Sequence, residues 1–469
     1  MLEPVIGLEV HLALRTRTKL FCDCPAEGFG LDPNVNTCPV CLGLPGSLPV
    51  VNAAALELAV TFALALGCTV PNRSRFHRKH YFYPDAPKNY QISQYDEPLG
   101  QGGGIDLPGG RRIGITRVHL EEDAGRLVHP AYADYSLVDL NRAGAPLIEM
   151  VTEPDLRTPE EARAFLTEVR AIARALGVSD ASPEEGKLRA DVNVSVREPG
   201  APFGTKVEVK NLNSFKSVAA ALAFEIRRQT ILLEEGRPVA QETRGWNEGG
   251  QKTYVMRGKE GEADYRYLTD PDLPEIDVAP TWTEELRARM AELPAAKETR
   301  FAALGVRQAD AHQIAYDVAT ASTFEEAARA YGGDPQVVAN WLVTEVAGVL
   351  NQRGAVLDAC ALRANDLAAL LQLVDDGVIS GKIAKELLPD VVDGADPRER
   401  VEALGLHQVA DEDELAAVVD RVLLAHPDLV ERVKANPKAV NALLGQVMRE
   451  TGGAAKPDLV RRLLDARLA

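Results

Sequence analysis

The stretch Val5-Ile-Gly-Leu-Glu-Val-His-Leu12 decides the fold. Ile6, Leu8, Val10 and Leu12 fall on one side of an extended chain, and Gly7, Glu9 and His11 on the other. Successive side chains of a strand point to opposite faces, so this pattern predicts a strand with one face in a core and a polar face carrying a carboxylate and an imidazole. Residues 189–197 repeat the design, with Ala190, Val192, Val194 and Val196 set against Arg189, Asp191, Asn193, Ser195 and Arg197. Further strands are expected at 113–120, 135–140, 147–151 and 206–209. Helices punctuate them. Thr158-Pro-Glu-Glu161 is a capping box with proline at the first helical position, and Gly177 ends that helix. A second helix is expected from Asn213-Ser214 to Gly236. Pro271, Pro274 and Pro280 read as a linker, and beyond them the strand pattern gives way to alanine- and leucine-rich text with helical spacing, as in Leu367, Leu370, Leu371 and Val374. The fold class is α+β: a mixed sheet body followed by two helical modules that divide near residue 400.

At 469 residues, 46% hydrophobic and 26% charged, the chain has the composition of a globular protein of about three domains. A formal charge of −17 argues against a binder held to nucleic acid by its global field, but leaves room for local basic surfaces. Residues 430–469 carry such an excess, eight Lys/Arg against four acids. The first residues lack a basic, apolar leader, and the most apolar run, 53–67, is interrupted by Glu57 and too short to span a bilayer. The expectation is a cytoplasmic protein without a membrane segment.

Four of the six cysteines crowd into twenty positions, as Cys22-x-Cys24 and Cys38-x-x-Cys41. Two short pairs separated by a thirteen-residue loop can close four thiolates around tetrahedral zinc. The alternatives are four unrelated small apolar residues or a labile dithiol. A closed four-sulfur shell leaves no open position, so the expected role is structural.

A second constellation is acidic. Glu9 and His11 share a strand face, Glu121-Glu122-Asp123 closes another strand, Glu149 sits inside an apolar strand, and Asp191 lies on a polar strand face. An unpaired carboxylate in an apolar strand is costly. Carboxylates with an imidazole form the hard-ligand set that Mg²⁺ uses beside nucleotide phosphates. Satisfied ion pairs at strand edges would give the same pattern, and spacing does not show that these residues converge. The segment 73–90 interleaves basic and aromatic residues, which suits phosphate contact and base stacking, or equally a strand whose long side chains lie over a core. The glycines of 100–104 predict a hairpin turn, since no Walker lysine follows and no helix opens from them.

Taken together, Ile6-Gly-Leu-Glu-Val-His11, Arg78-Lys-His-Tyr-Phe-Tyr-Pro-Asp85, Tyr90-Gln-Ile-Ser-Gln94, His119-Leu-Glu-Glu-Asp-Ala-Gly125, Leu137-Val-Asp-Leu-Asn-Arg-Ala-Gly-Ala-Pro-Leu-Ile-Glu149, Leu188-Arg-Ala-Asp-Val-Asn193, Lys210-Asn-Leu-Asn-Ser-Phe215 and Gln241-Glu-Thr-Arg244 resemble, in order, the B-subunit family of the tRNA-dependent amidotransferases (GatB). The resemblance covers essentially the whole chain. It implies a cradle domain over 1–290, a helical domain over 291–405 and a YqeY-like tail over 406–469. It implies a ligase that uses ATP to phosphorylate the side-chain carboxylate of glutamate or aspartate mischarged on tRNA(Gln) or tRNA(Asn), after which ammonia displaces phosphate. The A subunit would release that ammonia from glutamine, and the C subunit would join A to B. A non-discriminating aminoacyl-tRNA synthetase is a further candidate partner. The match carries over His11, Glu122 and Glu149 as Mg²⁺ ligands, with Glu9 and Asp191 beside them as catalytic residues. It also suggests Lys79, Arg142 and Lys210 as cationic contacts to phosphate or to the tRNA acceptor end. No Ser-Ser-Lys amidase signature is present, so glutamine hydrolysis belongs elsewhere. The zinc tetrad rests on the four cysteines alone. The rival reading is a zinc-stabilised tRNA-binding factor without catalysis, which would have no use for the acidic set.

Overall fold

A computed structural model of the 469-residue chain describes every residue except 1, 29, 131, 259–264, 407–411, 436–438, 452–454 and 469. The strand Glu3–Ala13 runs through the interior of a nine-stranded sheet. It pairs antiparallel with Pro146–Thr152 on one side and with Leu188–Arg197 on the other. Beyond Leu188–Arg197 come Val207–Lys210, Glu242–Asn247 and Lys252–Gly258, and beyond Pro146–Thr152 comes Arg112–Glu122. Only the pairing of Val207–Lys210 with Glu242–Asn247 is parallel among these described strands.

The alternation reads out as burial. Ile6, Leu8, Val10 and Leu12 are at most 1% exposed, and they share one core with Val192, Val194, Ile148 and Met150 from the neighbouring strands. The helices Ala53–Ala65, Pro159–Ala175 and Phe215–Glu234 close that core through residues such as Phe62, Phe165 and Leu222. Each such side chain contributes about 1.5–3 kcal/mol on burial. The Thr158 capping box forms as expected: the Thr158 hydroxyl accepts from Glu161 N, and the Glu161 carboxylate accepts from Thr158 N. With helices on one face, the polar face of the same strands is left for chemistry.

Two expectations change. The glycines of 100–104 do not turn a hairpin. Gly100–Gln101 and Gly104–Asp106 both pair with Arg112–Glu122, so Gly102 and Gly103 kink one edge of the sheet. Gly103 has φ +94°, and a Cβ there would lie 2.6 Å from the Leu66 carbonyl. The proline run is not a linker either. Leu268–Thr269 pairs with His77–His80, Ile276–Asp277 pairs with Arg73–Ser74, and Leu273, Ile276 and Val278 are buried. Pro271 and Pro274 lie between two very short strands, and Pro280 opens the helix Pro280–Arg289 at its first position.

Contacts divide the chain between Leu293 and Pro294. The second unit is helical and holds two apolar cores, one from Phe301 to Val401 and one from Leu415 to Leu464. Of the basic residues expected in the last forty positions, Lys438 lies outside the described residues. No helix among the described residues is long and apolar enough to cross a membrane. The fold is α+β, as the strand and helix patterns indicated.

Candidate active site and thiolate cluster

Register builds the acidic site. His11 stands opposite Glu149, and Glu149 stands opposite His119, so one row crosses three adjacent strands on the polar face. Glu149 Oε2 lies 3.5 Å from His11 Nε2 and 3.3 Å from His119 Nε2. Glu121 Oε2 lies 3.4 Å from His119 Nε2 and accepts from Ser93 Oγ at 2.9 Å. Ligand atoms of His11, Glu121 and Glu149 all fall within 4.8 Å of one another. Burial penalises the charged form of each group, yet mutual attraction prevails. The His119 charge and the His11 hydrogen bond hold Glu149 well below the usual carboxylate range, and the adjacent carboxylates raise His119 to about 9.

Glu122 takes another place. Its carboxylate is paired with Lys88 (Nζ to Oε2, 2.6 Å) and accepts from Ile92 N at 2.8 Å, away from the His11 group. The cause is a bulge. The register slips between Val151 and Thr152, so core residues of the partner strand change from Ile113 and Ile115 to Val118 and Leu120. Glu122 then follows Leu120 in parity, whereas Glu121 follows His119. The local alternation Val118-His119-Leu120-Glu121 carried that signal in the sequence.

The other expected residues gather around this row. A cavity of about 370 Å³ is lined by His11, Glu149, Lys79, Asp191 and Lys210, together with Glu121, Asp123 and Arg189. Lys210 Nζ donates to Asp191 at 2.6 Å and lies 3.0 Å from Glu208. Glu9 joins Asp191 and Glu208 in a second acidic group and accepts from Asn193 Nδ2 at 2.9 Å. Lys79 sits 4.9 Å from the Tyr265 ring centre and within ion-pair distance of no carboxylate among the described residues. Burial works against its charge, but Glu121 and other nearby anions raise its pKa overall. Arg142 does not line the cavity. It donates to the carbonyls of Ala124 and Gly125 and lies 3.3 Å from Asp123, so it clamps a turn. Asp123 in turn accepts two 3.0 Å bonds from Arg189. His119, Arg189 and Glu208 are members that the sequence reading had not assigned to the site, and Glu121 and Asp123 it had named only in the acidic run beside Glu122.

The four cysteine sulfurs of Cys22, Cys24, Cys38 and Cys41 also lie within 4.8 Å of one another. Tetrahedral zinc with Zn–S near ~2.3 Å sets sulfurs about 3.8 Å apart, so the donor set fits that ion. The His11, Glu121 and Glu149 set, one nitrogen and carboxylate oxygens, fits a hard divalent cation instead.

The family model described as the GatB/GatE catalytic domain matches residues 4–284, and that of the GatB domain matches 322–468. The chain belongs to the GatB family. It is 55% identical to the B subunit of the aspartyl/glutamyl-tRNA(Asn/Gln) amidotransferase of Deinococcus radiodurans, over 99% of both chains. It is 56% identical to the protein of the same name from Thermus thermophilus, covering 99% of this chain and 98% of the relative. The counterpart from Carboxydothermus hydrogenoformans is 50% identical over 100% of this chain.

Proposed function

We propose that this subunit activates the side-chain carboxylate of glutamate on tRNA(Gln), or of aspartate on tRNA(Asn), at the cavity above the His11–Glu149–His119 row. A carboxylate oxygen of the mischarged residue attacks the γ-phosphorus of ATP, an O–P bond forms, and ADP leaves. Ammonia then adds to the acyl carbon, phosphate departs, and the side-chain amide remains. The observation that carries this reading is the trio of half-buried His11 and buried Glu121 and Glu149 opening onto a cavity with Lys79 and Lys210 on its wall. A pure binding factor has no use for carboxylates held ionised inside a core.

His11, Glu121 and Glu149 would hold Mg²⁺, which when bound neutralises phosphate charge during phosphoryl transfer. Lys79 is the wall cation best suited to a phosphate oxygen, because no carboxylate of the described residues lies within ion-pair distance of it. Lys210 is shared by Asp191 and Glu208, so its role is to keep those carboxylates and Glu9 in register. Arg142 and Arg189 fix Asp123 at the rim. The Cys22, Cys24, Cys38 and Cys41 cluster would hold a structural Zn²⁺.

The partners are the A subunit, which supplies ammonia from glutamine, the C subunit, and the mischarged tRNA, all in the cytoplasm. The C-terminal module would contact the tRNA body by shape and through the local basic excess of residues 430–469. The test is an amidation assay with A, B and C subunits, glutamine, Mg²⁺-ATP and each mischarged tRNA. Wild type should consume ATP and form amide, and His11→Ala and Glu121→Gln should do neither while still binding tRNA. Full activity in either variant overturns the site, and tRNA binding by wild type without ATP consumption favours the non-catalytic factor.

A further inference from the structure

Lys19 is 0% exposed. Its ammonium donates to the Asn36 carbonyl at 2.8 Å and reaches Cys41 Sγ at 3.7 Å. No carboxylate among the described residues lies within ion-pair distance of it. A buried ammonium needs more than a carbonyl dipole, because the interior does not replace the hydration that a full charge loses. The groups on hand that can supply negative charge are the cysteine sulfurs. Four neutral thiols supply none. Four thiolates around a divalent ion carry a net charge of −2, and that charge also needs a partner once water is excluded. Each side of this contact therefore solves the other's problem.

We propose that Lys19 is the resident counter-cation of the metal centre and donates an N–H···S hydrogen bond that orients Cys41. The proposal rests on the reading of the four cysteines as a zinc site. Cys41 is the buried member of the four and the one that Lys19 touches, and its sulfur also accepts from Cys38 N at 3.1 Å. The lysine stem is packed as well as paired: a Cβ at Gly144 would lie 3.4 Å from Cys41 Cβ and 3.6 Å from Lys19 Cδ. The next residue extends the link, since Leu20 N donates to Gly144 O and Gly144 N donates to Asp123 O, both at 2.9 Å. The counter-cation thus sits between the metal loop and the backbone that holds Asp123 at the cavity.

The experiment compares zinc affinity in the full-length chain, by competition with a chromophoric chelator, for wild type and Lys19→Met, together with thermal unfolding of zinc-loaded and zinc-stripped forms. Loss of a group that orients a metal ligand weakens metal binding by about 10- to 100-fold, and Lys19→Met should fall in that range. Its loaded form should melt below wild type, while its stripped form should melt no lower, because the uncompensated ammonium is gone. Equal zinc affinity, or equal losses in both forms, overturns the proposal. If Lys19→Met does not fold, acylation footprinting of wild type decides: Lys19 should be protected with zinc and labelled once the metal is stripped, and protection in both states overturns it. Wild type that holds no zinc under reducing, chelator-free preparation is a separate result, which removes the zinc reading itself.

Discussion

Glu149 and His119 face each other across two strands with Oε2 and Nε2 3.3 Å apart, and both side chains are buried. Neither partner could be buried as an ion alone at tolerable cost, so each is kept charged by the other. His119 also reaches Glu121, which makes it the hinge between two carboxylates of the proposed cation site. Replacing it with Asn should weaken divalent-cation binding about tenfold, as loss of an outer-shell partner does. Titration of the purified chain with Mn²⁺, followed by electron paramagnetic resonance, measures this. An unchanged affinity would reduce His119 to a packing residue.

Adjacent glutamates should respond in opposite ways. Glu121→Gln should abolish ATP-dependent activation with little change in stability. Glu122→Gln strips Lys88 of its buried partner and should cost about 3 kcal/mol, while leaving Mn²⁺ binding near wild type. Denaturant unfolding and cation titration of the two variants, run side by side, separate these outcomes. The reverse pattern would move the cation site to Glu122.

The loop that carries Cys38 and Cys41 is tied to the turn that carries Arg142. Asn34 Nδ2 donates to Val138 O at 2.9 Å, Asn34 Oδ1 accepts from Leu140 N at 2.8 Å, and Asn36 N donates to Asn141 Oδ1 at 2.9 Å. Elemental analysis should find about one zinc per chain. Stripping it should accelerate amide hydrogen exchange across residues 138–145 while leaving the Glu3–Ala13 strand protected. Exchange that is unchanged across 138–145 would show that the loop holds its shape without metal.

A truncation after Leu406 falls between two separate apolar cores, and Leu406 itself packs against the first. The shortened chain should fold and bind Mn²⁺ normally. Its tRNA affinity should drop, and the dependence of log K on log salt should become shallower, because phosphate contacts have been lost. Affinity and slope equal to those of the full chain would exclude the C-terminal module from the tRNA contact.

Local information made some of this legible and hid the rest. The alternation of residues 5–12 and 189–197 announced two strands with one apolar face each, because each pattern is complete within one segment; that they are neighbours in the sheet's interior is the structure's finding. The four cysteines were legible for the same reason: both pairs and their loop occupy twenty positions. The acidic site draws on strands between residues 3 and 210, and a single bulge beside Thr152 decides which of two neighbouring glutamates faces it. Alternation near the bulge pointed to Glu121, while counting from the start of that strand at Ile113 and Ile115 gives the other parity. The prolines of 271–280 misled because edge strands of two residues leave no periodicity to detect.

The Glu3–Ala13 strand sits between residues 146–152 and 188–197, so among the first residues of the chain are some of the last to find both neighbours. Closing loops of that length precedes any contact that repays the entropy, which slows assembly and makes it cooperative. A nascent chain shorter than about this span has His11 but nothing to hold it against. The proposed cation site therefore comes together late and all at once, and a partly made chain holds no half-formed version of it.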